Sequence, residues 1–118
     1  GHTIGHAIEV STGYGRYLHG EAVSVGMMAA GLLSAKLGMI GEGVVERQRK
    51  LLERFRLPTS APDAEPERLF DAMFSDKKKE GGSIKWVLLE GIGKSVARAN
   101  VPCALVKEVL DTLCGPQR

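Results

Sequence analysis

The sequence predicts a mainly α-helical, bundle-like domain that carries one small β-hairpin. Its 118 residues suit a single domain, and its composition, 43% hydrophobic and 25% charged, is that of an ordinary globular protein. Apolar residues recur at helical spacing along most of the chain, and the period changes to that of strands only within Ile84–Val101. Helices packed on one another therefore account for most of the predicted fold.

The first two helices are separated by a glycine-rich loop. Helix one is predicted over about Thr3–Ser11 and ends before Gly13. Helix two is predicted over about His19–Leu37, and Gly38 supplies its stop. The two helices are close in sequence, so we expect them to be neighbours in the fold.

The second helix also requires a test for a membrane span. The segment Ala22–Ile40 has nineteen residues and a single charge, Lys36, which approaches the length of a spanning helix. Three glycines, two serines, the lysine and the lack of basic anchors in the flanks argue against a span. A helix that is apolar nearly all round also suits the centre of a bundle, which is the reading we favour.

The next two helices flank a proline-containing loop. Helix three is predicted over about Glu42–Arg56 and is closed by Pro58. Pro66 fits the first turn of a short fourth helix, and the charged stretch Ser75–Gly82 that follows is expected to be a solvated loop. The apolar face of this fourth helix comprises Leu69, Phe70, Met73 and Phe74.

The hairpin and a last helix complete the chain. The strands are predicted over Ile84–Leu89 and Ser95–Val101, with Glu90–Lys94 as the turn. Pro102 begins the last helix, and Gly115 ends it. Its apolar stripe comprises Val106, Val109, Leu110 and Leu113.

Charge and cysteine content narrow the class of protein. The net charge of +2 and an aromatic content of 5% give no indication of nucleic-acid or membrane binding. Cys103 and Cys114 match no common zinc spacing, so we expect two small apolar residues in a reducing cytoplasm and not a disulfide.

All three histidines lie within the first nineteen residues. On a helix, His2 and His6 are four positions apart and share a face, and His19 opens the second helix. Imidazoles with nearby carboxylates and glycines predict a metal or anion site, although hydrogen-bonded packing residues are an equal alternative. Thr3 stands where a zinc protease motif places its glutamate, which argues against that class.

The path of the loop decides which histidines meet. If the second helix packs antiparallel to the first, its start lies near the end of helix one and away from His2. If the loop doubles back, His19 reaches His2, and the sequence leaves both arrangements open. Two ring nitrogens on one zinc ion would lie about 3–4 Å apart.

A second charged segment, Lys77–Lys79, is preceded by Asp76 and followed by two glycines. Lysine is a point-charge partner for phosphate, whereas most charge runs are solvated. Both readings of this segment stay open on residue chemistry alone.

Taken together, three blocks resemble the 3-dehydroquinate synthase family. They are Gly1–Glu9 (GHTIGHAIE), His19–Met27 (HGEAVSVGM) and Asp76–Lys78, followed by a Val-Leu-Leu strand and Gly-Ile-Gly. The resemblance runs in order across essentially the whole chain. It implies that residues 1–118 are the C-terminal helical domain, truncated at its N-terminus, and that the Rossmann-like NAD-binding domain is absent.

The resemblance also implies the site. His2 and His19 would bind a divalent metal, zinc or cobalt, together with a glutamate that lies upstream in the family. His6 would contact the substrate as a catalytic residue, and Lys77 or Lys78 would contact its phosphate group. NAD would be bound mainly by the missing domain.

Two carboxylates, Glu9 and Glu21, are candidates to orient the imidazoles. The alternative for both is an ordinary helix-surface or capping role. Glu21 in the first turn of helix two suits the positive end of the helix dipole in either case.

The implied activity is that of a phosphate-eliminating carbon–oxygen lyase of the shikimate pathway, in aromatic amino acid biosynthesis. It converts 3-deoxy-D-arabino-heptulosonate 7-phosphate into 3-dehydroquinate and phosphate, with transient oxidation by NAD. Because several expected contacts lie upstream, we expect the chain alone to be inactive. The family also implies a cytoplasmic protein and suggests a homodimer.

Three alternatives remain at this point. One is another sugar phosphate cyclase with the same metal site. A second is a metal-dependent alcohol dehydrogenase relative, against which the Asp76–Lys78 block argues because an alcohol has no phosphate. The third is a non-catalytic helical fragment with a large exposed apolar patch.

Overall fold

A computed structural model gives the fold. It describes residues 2–12, 17–62, 64–79, 86–91, 93–99 and 101–115, without the side chains of residues 2, 3, 11 and 75–79. Within these ranges the chain forms five helices and two strands, which confirms the predicted mainly α fold with one hairpin. The elements are α1 His2–Thr12, α2 His19–Lys36, α3 Glu42–Arg54, α4 Pro66–Lys79, β1 Trp86–Gly91, β2 Lys94–Arg98 and α5 Cys103–Cys114.

Helix α2 is the centre of the domain. It packs against α1, α3, α5 and strand β1, so apolar residues on several of its faces are buried. This arrangement confirms the prediction of a central buried helix. No helix in the described part of the chain is both long and apolar enough to cross a membrane. The large α2 residues with almost no exposure are Val25, Met28 and Leu33.

Two buried serines connect α2 to its neighbours. The Ser24 hydroxyl donates to the carbonyl oxygen of Pro58 at 2.7 Å, which fixes the loop after α3. The Ser34 hydroxyl donates to the carbonyl of Ala30 at 2.6 Å and accepts a hydrogen bond from the backbone N–H of Leu89 at 2.9 Å. Ser34 therefore supplies a hydrogen-bond partner for the backbone N–H of Leu89 on β1.

Helix α2 stops where the sequence predicted. Gly38 has φ +75°, and its N–H bonds the Ala35 carbonyl at 3.0 Å. The N–H of Met39 bonds the Ser34 carbonyl at 2.9 Å. These two bonds form a Schellman motif, in which a left-handed residue ends the helix.

Helix α3 ends two residues earlier than predicted, at Arg54. The same motif closes it: Arg56 N–H bonds Glu53 O at 2.9 Å, and Leu57 N–H bonds Leu52 O at 3.0 Å. Here the left-handed position is held by Arg56, at φ 58°, and not by glycine. The stop therefore comes from backbone bonding before Pro58 restricts the chain.

The predicted solvated loop at Ser75–Gly82 is wrong for its first part. Helix α4 continues through Lys79, so Ser75–Lys79 is helical. Lysine is a good helix former, and cations are favourable near the C-terminal end of the helix dipole. Residues 80–82 lie outside the described residues.

The hairpin turn is shorter than predicted. Strands β1 and β2 pair antiparallel from Trp86 opposite Arg98 to Gly91 opposite Lys94, with an irregularity between Leu89 and Gly91. Strand β2 ends at Arg98 and not at Val101, and residues 84 and 85 lie outside the description. Trp86 and Leu88 are buried, so one face of β1 packs into the core.

Candidate metal and substrate site

The two histidine-bearing helices, α1 and α2, approach each other closely at Gly5. A Cβ atom at this position would lie 3.1 Å from the carbonyl oxygen of Ala22 and 3.4 Å from the backbone nitrogen of Val23. Gly5 is one of the glycines near the histidines of the predicted metal or anion site, and the structure gives it a packing role. The sequence feature that indicates this close packing is a glycine inside a segment with helical periodicity.

The contact between Glu9 and His19 shows how the helices are arranged. Nδ1 of His19 lies 3.1 Å from Oε1 of Glu9. Because Gly5 faces Ala22 while Glu9 faces His19, the two helices run antiparallel. Of the two arrangements that the sequence left open, the structure has the start of α2 beside the end of α1.

Burial differs between the partners of this contact. The side chain of Glu9 is 14% exposed, and that of His19 is 69% exposed. The carboxylate is thus held by the helix pair, and the imidazole projects from it. In the neutral ring, a Nδ1 that donates to Glu9 makes Nε2 the unprotonated nitrogen, which is the form that binds a metal.

Glu21 has a different contact. Its Oε1 accepts a hydrogen bond from the backbone N–H of Leu18 at 2.8 Å, which caps the first turn of α2. The capping alternative for Glu21 is therefore present in the structure. An orienting role for Glu21 toward an imidazole stays a prediction.

The remaining predicted residues lie on the helices around this contact. His6 is exposed on α1, and helix α4, which carries Lys77 and Lys78 in its last turn, packs against α1. His2 is the first residue of α1; its side chain and those of both lysines lie outside the described residues. The predicted distance between the His2 and His19 ring nitrogens is therefore not tested.

Helix geometry nevertheless relates His2 to the observed contact. His2 stands seven positions before Glu9, so the two backbone positions share one face of α1 and lie about 10 Å apart along the axis. Among the described side chains, no three His, Cys, Asp or Glu residues are grouped so that they could hold a metal ion. The described part of the site is a single oriented imidazole with its carboxylate.

Comparison with solved structures defines the class of protein. The fold matches a 2-deoxy-scyllo-inosose synthase solved with carbaglucose-6-phosphate, NAD+ and Co2+, at 28% identity and TM-score 0.78 over 94% of this chain and 32% of that chain. It also matches the 2-epi-5-epi-valiolone synthase of Streptomyces hygroscopicus with NAD+ and Zn2+ bound. Identity there is 26% and the TM-score 0.84, over 95% of this chain and 31% of that chain. The fold is that of the sugar phosphate cyclases.

The sequence narrows this class to one family. Residues 1–79 match the family model for the 3-dehydroquinate synthase C-terminal region. The chain belongs to this family, as the sequence blocks indicated.

Curated relatives agree with this family membership. The 3-dehydroquinate synthase of Nitrosospira multiformis is 49% identical over 93% of this chain and 30% of its own length. That of Wolinella succinogenes is 46% identical over 97% of this chain and 33% of its own length. The chain thus spans about a third of the length of these relatives.

Proposed function

We propose that this chain is the metal-binding helical part of a 3-dehydroquinate synthase. In this proposal, the whole enzyme converts 3-deoxy-D-arabino-heptulosonate 7-phosphate into 3-dehydroquinate and phosphate in the shikimate pathway. The observation that carries the proposal is the 3.1 Å contact between Glu9 and His19. It joins the first two sequence blocks of the family at the position expected for a metal ligand.

The chemistry of this contact fits a divalent metal. His19 is exposed and oriented by a carboxylate, which is how proteins fix the tautomer of a metal-binding imidazole. The proposed ligands of zinc or cobalt are His19, His2 and a glutamate from the upstream part of the family. Because His2 begins α1 about 10 Å along the axis from Glu9, His19 and His2 share a metal only if the His19 ring extends along α1 toward His2. When bound, the metal supplies Lewis-acid polarisation of a substrate hydroxyl, and NAD supplies the hydride acceptor.

The other side chains have roles that follow from their charge and position. His6 stands on the same helix as His2 and would donate a hydrogen bond to the substrate or relay a proton. Lys77 or Lys78, on the helix packed against α1, would offset the charge of the substrate phosphate. Neither role depends on the contact between Glu9 and His19.

Sequence identity favours this synthase over the other cyclases. Eight curated 3-dehydroquinate synthases are 43–49% identical to the chain, whereas the other cyclases in three solved structures are 26–30% identical. We therefore propose 3-deoxy-D-arabino-heptulosonate 7-phosphate as the substrate of the lyase reaction. Other heptulose phosphates serve as comparison substrates in the assay.

A chimaera tests the function. The upstream two thirds of the Nitrosospira enzyme would be joined to this chain, and phosphate release would be measured with each sugar phosphate. We expect turnover that requires NAD and a divalent metal, is lost in His19→Ala, and is absent from the isolated chain. A folded, metal-binding chimaera without turnover would refute the assigned reaction, and turnover by the isolated chain would refute the division of the site.

The orienting role of Glu9 has its own test. We expect Glu9→Ala to weaken zinc or cobalt binding by the chimaera about 10- to 100-fold, the usual cost of losing such a partner. Glu9→Gln keeps an acceptor for Nδ1–H and should lose less. Glu21→Gln changes the carboxylate that caps α2 and is the comparison variant; an equal loss at both positions would assign an orienting role to Glu21 as well.

Imidazole nitrogen chemical shifts give a readout of Glu9 that needs no metal. In the wild-type chain the neutral His19 ring should carry its proton on Nδ1, and Glu9→Ala should shift the ring toward the other tautomer. An unchanged tautomer would contradict the orienting role and leave the assigned reaction standing.

The proposal extends to the partners and location predicted from the family. The sugar phosphate and the NAD-binding domain are its partners, the cytoplasm is its compartment, and a homodimer is its expected assembly. Size measurement of the chimaera in solution tests the last of these.

A further inference from the structure

A cleft lies between α3 and the hairpin, and its lining includes none of the residues to which the proposed function assigns a role. Its volume is about 510 Å³, within the usual range for small-molecule sites. Helix α3 and strand β1 supply apolar walls through Leu51 and Leu89, and the hairpin supplies Gly91 and Gly93. Leu51 is 55% exposed although it lines this cleft.

Three cations stand around the cleft. Arg47, Lys50 and Arg54 all line it, and their spacing of three and four residues places them along one face of α3. Among the residues that the structure describes, none of the three forms an ion pair. By contrast, Arg49 on the same helix pairs with Glu46 at 3.5 Å. These three side chains therefore give the cleft positive charge without an ion-pair partner among the described residues.

The hairpin side of the cleft carries little side-chain volume at its two glycines. A Cβ atom added at Gly91 or Gly93 would meet no atom within 4 Å. A ligand could thus lie along the backbone of the turn while its apolar surface covers Leu51 and Leu89. This shape suits a flat ring better than a branched or strongly hydrated sugar.

We propose that this cleft binds a small organic anion with a flat apolar body, of the class of aromatic carboxylates. The ring removes Leu51 and Leu89 from water, and the carboxylate is held by the guanidinium and ammonium groups of α3. Sugar phosphates lack the apolar body, so this site is distinct from the one at His19. The inference does not depend on the proposed synthase reaction.

The probe is 2-naphthoate, titrated into the chain and followed by backbone amide chemical shifts. At the binding efficiency usual for small organic ligands, its thirteen non-hydrogen atoms correspond to a Kd of about 1 mM. We expect saturable shifts at Gly91 and Gly93, and affinity that falls as salt is raised. The uncharged 2-naphthamide, with the same ring, should bind at least about fivefold more weakly.

Variants separate this site from general attraction to a basic surface. The triple variant R47Q, K50Q, R54Q should weaken 2-naphthoate binding about tenfold or more. The control K36Q, R68Q, R98Q removes three exposed cations outside the cleft and should keep the wild-type affinity.

Equal affinity in the two triple variants would overturn the proposal. So would shifts that spare Gly91 and Gly93, or equal binding of naphthoate and naphthamide. The comparison of the two probes uses the unaltered chain, so it remains decisive if a triple variant fails to fold. Saturable binding of an acidic peptide without binding of 2-naphthoate would also overturn it, in favour of a protein partner.

Discussion

Replacing Ser34 with alanine tests how the hairpin is attached to the central helix. The change removes a hydroxyl that accepts from Leu89 N–H at 2.9 Å and donates to Ala30 O at 2.6 Å. Ala30 O keeps its helical bond, but the Leu89 amide loses its partner. Leaving a fully buried donor without a partner costs about 1–3 kcal/mol, so for this part-buried amide we expect the free energy of unfolding to fall by about 1–2 kcal/mol.

Urea unfolding measures this loss in two ways. Circular dichroism follows the helices, and fluorescence of Trp86, the sole tryptophan, follows the hairpin because this residue is on β1 and only 6% exposed. In thermal unfolding, each kcal/mol should lower Tm by about 3–6 °C.

Ser24→Ala is the matched control on the same helix. It leaves a carbonyl oxygen without one bond, at Pro58, and not an amide. Carbonyls tolerate this better than amides, so the control should lose less. A loss below about 0.5 kcal/mol in Ser34→Ala, or a larger loss in Ser24→Ala, would refute the reasoning.

Two further predictions concern helix contact and thiol chemistry. Gly5→Ala should destabilise the chain by about 1 kcal/mol in urea unfolding, because its Cβ would lie 3.1 Å from Ala22 O. Gly43→Ala on α3 should instead stabilise the chain by about 0.4–1 kcal/mol, because its Cβ would have no atom within 4 Å. A gain at both glycines would contradict the close packing. Burial, with a smaller contribution from a nearby carboxylate, raises the pKa of the Cys114 thiol from 9.0 to about 11. At pH 8, mass spectrometry after brief alkylation should therefore find exposed Cys103 modified first, and equal rates would contradict this.

The same pKa shift gives a pH dependence of stability. Because the folded pKa of Cys114 exceeds the unfolded value, the folded state keeps a proton that the unfolded state loses between pH 9 and 11. The contribution of this thiol to stability is present below pH 9 and is lost as pH rises to about 11. Urea unfolding of wild type and Cys114→Ala over this range would measure it as a smaller decline in the variant.

Local signals explain which helix ends could be predicted. Gly38 ends α2 at a left-handed position, and a glycine in a sequence indicates such a position. Arg56 occupies the equivalent position after α3, and nothing in its chemistry indicates it. The end of α3 therefore depends on backbone bonds that the sequence does not display. The helical Lys77–Lys79 run was missed for a related reason, since charge alone does not distinguish a loop from an exposed helical turn.

The candidate site, like the helix ends, could be predicted only in part from the sequence. The sequence indicated that His19 and Glu9 belong to one constellation, through the family blocks that contain them. It did not indicate which carboxylate meets the imidazole, because that depends on the antiparallel packing of α1 and α2. Glu21 is closer to His19 in sequence, yet its described bond goes to Leu18.

The position of His19 at the first turn of α2 has a consequence for binding. First turns of helices fray readily, but Glu21 caps this one and the rest of the domain packs on the same helix. The entropic cost of ordering the His19 backbone therefore falls on the folding reaction and not on ligand binding. Amide hydrogen exchange should show Ala22 and Val23 opening slowly in the free chain, with little further protection once a metal binds.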